Sequence, residues 1–174
     1  SLAYNLARNE VVATYQALHS GGHLDVMATR FTAGGTILGG GEYSIANGSD
    51  DEHTPSITAV GSGDAYLVVW QNEQPSYPAI QARFLNGDGT VNGSAFVVSL
   101  AAKYPQVTSW AADREFLVVF EKLYSGSPYV SGVWARRICM DGVRDSDFVV
   151  RTPVSTFERT LPAVAAGQHG WLMV

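Results

Sequence analysis

A strand pattern that returns about every fifty residues, four strands to each return, and glycine-rich turns between the strands predict an all-β chain of the β-propeller class. About three and a half four-stranded antiparallel blades are expected in the 174 residues. The blade-like repeats fall at about 1–52, 53–103 and 104–160, with a partial repeat over 161–174.

The first two strands of a repeat are the clearest. Pro55-Ser56-Ile57-Thr58-Ala59 precedes a Gly-containing turn and Tyr66-Leu67-Val68-Val69-Trp70, and Pro105-Gln106-Val107-Thr108-Ser109 precedes Phe116-Leu117-Val118-Val119-Phe120. The interval from proline to terminal aromatic is fifteen in both copies. Counted back from Tyr15, it makes Leu2 the counterpart of Ile57 and Val11-Val12-Ala13-Thr14-Tyr15 the counterpart of the second strand. Pro162-Ala163-Val164-Ala165-Ala166, a turn from Gly167 to Gly170 and Trp171-Leu172-Met173-Val174 begin a fourth copy. Trp70 and Phe120 are expected to serve the repeat itself.

Third strands follow at Met27–Phe31, Ile80–Phe84 and Trp134–Ile138, each ending in an arginine and an apolar residue. Gly34-Gly35, Gly87-Asp88-Gly89 and Asp141-Gly142 supply turns that need positive φ. Tyr43-Ser44-Ile45, Phe96-Val97-Val98 and Phe148-Val149-Val150 read as fourth strands. The runs Leu67-Val68-Val69 and Leu117-Val118-Val119 are continuously apolar, as strands covered on both faces are, so a blade needs neighbours. A β-sandwich also uses many short strands but has no reason to repeat one fifteen-residue interval.

Composition narrows the function. Hydrophobic residues make up 46% and charged residues 16% of the chain, the balance of an ordered domain. A net charge of −5 without a basic patch argues against nucleic acid as a partner. The single Cys139 gives neither an internal disulfide nor a thiolate cluster. No apolar stretch is long enough for a membrane helix, and the first twenty residues lack the pattern of a signal peptide. Neither a phosphate-loop motif nor an H-E-x-x-H pair is present.

These residues resemble a repeat of bacterial secreted and cell-surface β-propeller proteins, with a proline-led strand, a Tyr-Leu-Val-Val-Trp strand and an Ala-Arg-aromatic strand before glycine. The resemblance covers nearly the whole chain and implies a propeller in an extracytoplasmic protein, with no single activity attached. The chain departs from the pattern at the doubled Arg136-Arg137 and in the long connection from Arg151 to Leu161.

Four, four, four and two strands do not close a ring, which leaves open blade faces and an unpaired edge. Either the chain is a fragment of a longer propeller, or two copies of fourteen strands associate into seven blades. Self-association is therefore an expected partnership.

The sequence contains no catalytic signature. The loop Asn47–His53 holds Asp50, Asp51 and Glu52, whose oxygens could take calcium, although the run lacks EF-hand spacing and suits a solvated connection. His19, His23 and Asp25 share one hairpin, where a His–Asp pair could orient a base but no nucleophile is recognisable. Arg30, Arg83 and Arg137 recur from repeat to repeat, which points to structural service. A sialidase-type arginine clamp would be accompanied by Ser-x-Asp-x-Gly-x-x-Trp, which Ser62-Gly63-Asp64-Ala65-Tyr66 does not match. Tyr77, Tyr124 and Tyr129 stand in hairpins with Pro75, Pro78 and Pro128, where an exposed ring can stack on a sugar or grip a peptide. The resulting expectation is a non-catalytic binding or scaffolding module for a carbohydrate or protein, with a glycosidase-like hydrolase using carboxylates around the central channel as the alternative.

Overall fold

The computed structural model describes residues 1–19, 21–110, 114–123, 131–140, 145–152, 161–167 and 170–173. Fourteen strands and no helix occur among them. Strands β1 (Leu2–Asn5), β2 (Glu10–Leu18), β3 (Leu24–Thr32) and β4 (Ile37–Ala46) form the first sheet in chain order. Strands β5 (Asp51–Ala59), β6 (Ala65–Glu73), β7 (Ala79–Asn86) and β8 (Val91–Leu100) form the second. Strands β9 (Ala102–Trp110), β10 (Glu115–Leu123), β11 (Ser131–Cys139) and β12 (Phe148–Arg151) form the third, and β13 (Val164–Gly167) pairs with β14 (Gly170–Met173). Every pairing is antiparallel. The first strands of successive sheets lie against one another, β1 on β5, β5 on β9 and β9 on β13, without comparable contact between fourth strands. The chain is a partial propeller, with first strands innermost and fourth strands at the rim.

Alternation along the second strands explains the continuous apolar runs. Tyr66, Val68 and Trp70 pack with Val12, Val26, Ala28 and Ile45 of the first sheet. Leu67 and Val69 point the other way, to Val107, Phe116, Val118 and Phe120 of the third. Leu117 and Val119 then meet Val164, Trp171 and Met173. Trp70, Tyr66, Phe116 and Phe120 have no exposed surface. At about 1.5–3 kcal/mol per buried side chain, the interfaces between sheets dominate stability.

Two polar clasps repeat across these interfaces. The inner strands begin at Asp51 and Ala102, upstream of their prolines, and both carry a register shift just before or at the proline. There Thr54 and Tyr104 adopt positive φ, 47° and 52°, which removes their N–H groups from the ladder. Gln16 accepts the Thr54 N–H at 3.1 Å and Gln71 accepts that of Tyr104 at 3.1 Å, each glutamine following its repeat's aromatic. The second clasp is an arginine. Arg83 Nη1 donates to the carbonyl of Ile45 at 2.8 Å, and Arg136 Nη1 donates to that of Val98; both links span 38 residues and join a third strand to the rim of the preceding sheet.

The register differs from the sequence expectation that Arg30, Arg83 and Arg137 are equivalent. Arg83 faces Val68 across the ladder and Arg136 faces Val118, the same repeat position, whereas Arg137 faces Leu117 and Arg30 faces Val12. Arg30 and Arg137 form a second class, paired with Glu10 at 2.6 Å and Glu115 at 3.9 Å. Arg137 also holds Asp145 at 2.6 Å. The arginine of the first class faces the preceding sheet and that of the second faces the following one. Arg30 thereby reaches Gly89, where φ is +82° and a Cβ would collide with the arginine Cδ.

Candidate functional site

His19, His23, the Asp50–Glu52 run and Tyr77 lie at one end of the sheets, where first strands begin and second strands finish. The β2–β3 turn carries His19 and His23, the β4–β5 connection carries Asp50, and the β6–β7 turn carries Tyr77, 62% exposed. Tyr124 and Tyr129 lie outside the described residues.

A cavity of about 190 Å³ opens here, lined by His19, Gly21, His23, Asp25, Asn47 and Gly48. The turn beneath it is closed by His19 N–H donating to the His23 carbonyl at 3.0 Å and Gly22 N–H donating to the His19 carbonyl at 2.9 Å. Asp25, at the start of β3, is 4% exposed, with His19 Nδ1 3.9 Å from its Oδ2. Asp51 accepts the N–H of Leu24 at 2.8 Å and lies 3.8 Å from His23 Nδ1.

Glu52 lies behind Gly48 and is 2% exposed. Its Oε1 accepts the Gly48 N–H at 3.0 Å and Asn72 Nδ2 at 3.5 Å, while its buried Oε2 makes no hydrogen bond within the protein. Burial pushes the Glu52 carboxyl above its ordinary range, the Gly48 N–H opposes this, and the negative charge of Asp25 adds to the rise. A Cβ at Gly48 would lie 2.7 Å from Glu52 Oε1, so a side chain there would push the carboxyl aside.

Asp50, Asp51 and Glu52 do not converge. Adjacent residues of a strand face opposite ways, so Asp51 turns to Leu24 while Glu52 turns to Gly48 and Asn72. Among the described residues no group of three or more His, Cys, Asp or Glu side chains is arranged to hold a metal ion, so the calcium expectation at this loop finds no ligand cage. The structure instead brings Asp25 of one sheet close to Glu52 of the next, a pairing that no local spacing signals. A wider hollow of about 420 Å³ at the opposite end, lined by Arg8, Ser62, Asp64, Asn86 and Asp88 among others, is built from turns.

The fold and this end-on site define a segment of a β-propeller. No protein-family model and no curated protein matches the sequence. Solved structures do. The chain is similar to an endo-arabinase from Bacteroides thetaiotaomicron at TM-score 0.62 and 11% identity, covering 95% of this chain and 65% of that one. It is similar to an exo-β-1,3-galactanase from Phanerochaete chrysosporium, solved with β-1,3-galactotriose, at TM-score 0.54 and 12% identity, covering 86% of this chain and 34% of that one. An α-L-arabinofuranosidase from Lactobacillus brevis gives TM-score 0.51 and 11% identity, covering 92% and 57%. The chain thus spans less than two thirds of the length of these proteins. At such identities the likeness is one of fold.

Proposed function

We propose that the chain is part of a carbohydrate-directed propeller of the glycosidase kind, working outside the cytoplasm. The observation that carries this reading is the division of roles between two nearly buried carboxyl groups, Glu52 held toward its protonated form and Asp25 on the cavity wall. Hydrolysis of a glycosidic bond needs such a pair, a proton donor for the leaving oxygen and a second carboxylate for the water or the sugar. Glu52 is the proposed acid and Asp25 the proposed carboxylate, with His19 steadying Asp25. The arabinase, galactanase and arabinofuranosidase folds support the substrate class.

The test is release of reducing ends from arabinan, β-1,3-galactan and aryl glycosides by the full protein. Glu52→Gln should lower turnover by at least about 100-fold while the protein stays folded. Wild-type turnover should fall as pH rises through the elevated Glu52 pKa, because the acid must carry its proton. Stability follows the same sign. The Glu52 contribution is fully present below the ordinary value of 4.5 and is lost as pH rises through the folded pKa, so Glu52→Gln should flatten that slope. Full activity in Glu52→Gln would sink the assignment.

The exposed Tyr77 ring at the same end favours a second reading, a non-catalytic module that binds a carbohydrate or protein. Glycan binding without turnover on any of these substrates selects it. Self-association through the first sheet's uncovered face, where Leu2, Tyr4 and Ile37 are exposed, belongs to either reading. Light scattering tests it, and a stable 18.7 kDa monomer counts against it.

A further inference from the structure

The two positive-φ residues on the inner strands have a shape that the clasps alone do not require. A left-handed backbone at a non-glycine residue is uncommon, and at a β-branched residue such as Thr54 it is a true outlier. Satisfying a stray N–H with a glutamine accounts for how the bulge is tolerated. It does not account for an exposed aromatic there. The bulge turns Thr54 and Tyr104 out of the sheet, and both stay exposed on the innermost strands. Tyr104 is 37% exposed, Gln106 nearby is exposed, and His53 and Lys103 flank the two bulges half-buried.

This place lies at the same end of the sheets as the cavity, near the starts of β5 and β9. His53 follows Glu52 directly and faces Gln71 across the ladder, and the same Gln71 accepts the Tyr104 N–H. Strained backbone held by side chains of a neighbouring element is characteristic of positions that present a group to a ligand.

We propose that Tyr104 and Thr54 form a sugar-binding platform on the propeller's inner strands, with the Tyr104 ring stacking on a pyranose or furanose face and Thr54 and Gln106 bonding its hydroxyls. The ligand is a neutral oligosaccharide longer than one residue, reaching from the cavity walled by Asp25 across the second and third sheets. The proposal rests on the carbohydrate-directed reading and specifies where such a chain lies.

The test is calorimetric titration of the full protein with arabino-oligosaccharides and β-1,3-galacto-oligosaccharides, alongside aryl-glycoside turnover by the wild type. Tyr104→Asn and Tyr104→Gly both remove the ring, and both residues accept the left-handed backbone, so the fold should persist. Each should weaken oligosaccharide binding by about tenfold, and Tyr104→Phe, which keeps the ring, should stay within about twofold of wild type. Undiminished binding in the folded Asn and Gly variants overturns the platform and leaves the hydrolase reading intact. Absence of oligosaccharide binding by the wild type also overturns it, with aryl-glycoside turnover then deciding the hydrolase reading on its own. Wild-type binding that depends on the ring, without any turnover, supports the platform and sinks the hydrolase reading alone.

Discussion

Trp70 and Tyr15 occupy the same position of the repeat in opposite surroundings. Trp70 points from β6 into the first sheet and has no exposed surface, and its indole N–H makes no hydrogen bond within the protein. Tyr15 points from β2 toward the side that no described sheet covers, half-buried, with its hydroxyl bonded to Glu42 at 2.5 Å and Thr29 at 2.9 Å. The arginine position changes with it. Thr29 faces Ala13 where Arg83 faces Val68, so the residue that reaches a preceding rim in the second sheet is a short hydroxyl in the first. The repeat encodes the strands. On the first sheet, Thr29 and Glu42 both bond Tyr15.

That comparison has measurable consequences, the largest at Trp70. Trp70→Ala should cost about 3–5 kcal/mol in chemical denaturation, because an indole-sized void opens between two sheets that cannot collapse onto it. Tyr15→Ala should cost about 1 kcal/mol, since its bonds lie where water can replace them. Equal losses would mean that the outer face of the first sheet is as covered as the inner one. Next come the arginines. Arg83→Ala and Arg136→Ala each remove a charged donor from a rim carbonyl and should cost about 1.5–3 kcal/mol. Arg137→Ala should stay within about 0.5 kcal/mol, because its partners are solvent-exposed or distant. A large loss at Arg137 with none at Arg136 would return the equivalence to the one the sequence suggested.

The fold was legible because its signals are local and repeated. The fifteen-residue interval, the doubly covered Tyr-Leu-Val-Val-Trp run and the turn glycines each constrain a few neighbouring residues, and four strands per repeat follow. The doubled Arg136-Arg137 was not resolvable, since adjacent residues differ only in which face they present, and a register decides that. The candidate site was half legible. Asp50, Asp51 and Glu52 stood out as a polar cluster, but strand alternation separates Asp51 from Glu52. The acidic partner of Glu52 is instead Asp25, brought near by the packing of one sheet on the next. Tyr104 carries no such mark, because a residue before proline reads as ordinary extended chain. Its signal lies a strand away, in the glutamine that follows Trp70.

The glutamines supply the smallest and sharpest contrast, one clasp in two solvents. Gln71 is 4% exposed where it accepts the Tyr104 N–H, so Gln71→Ala should leave that donor facing protein and cost about 1 kcal/mol. Gln16 makes the same bond to Thr54 but is exposed, so water can take its place and Gln16→Ala should cost about 0.5 kcal/mol or less. Hydrogen exchange reads the two sites separately. Protection at the Tyr104 amide should drop in Gln71→Ala, and protection at the Thr54 amide should be low from the start. If both amides are equally protected in the unaltered protein, the Gln16 clasp is as shielded from water in solution as the Gln71 clasp.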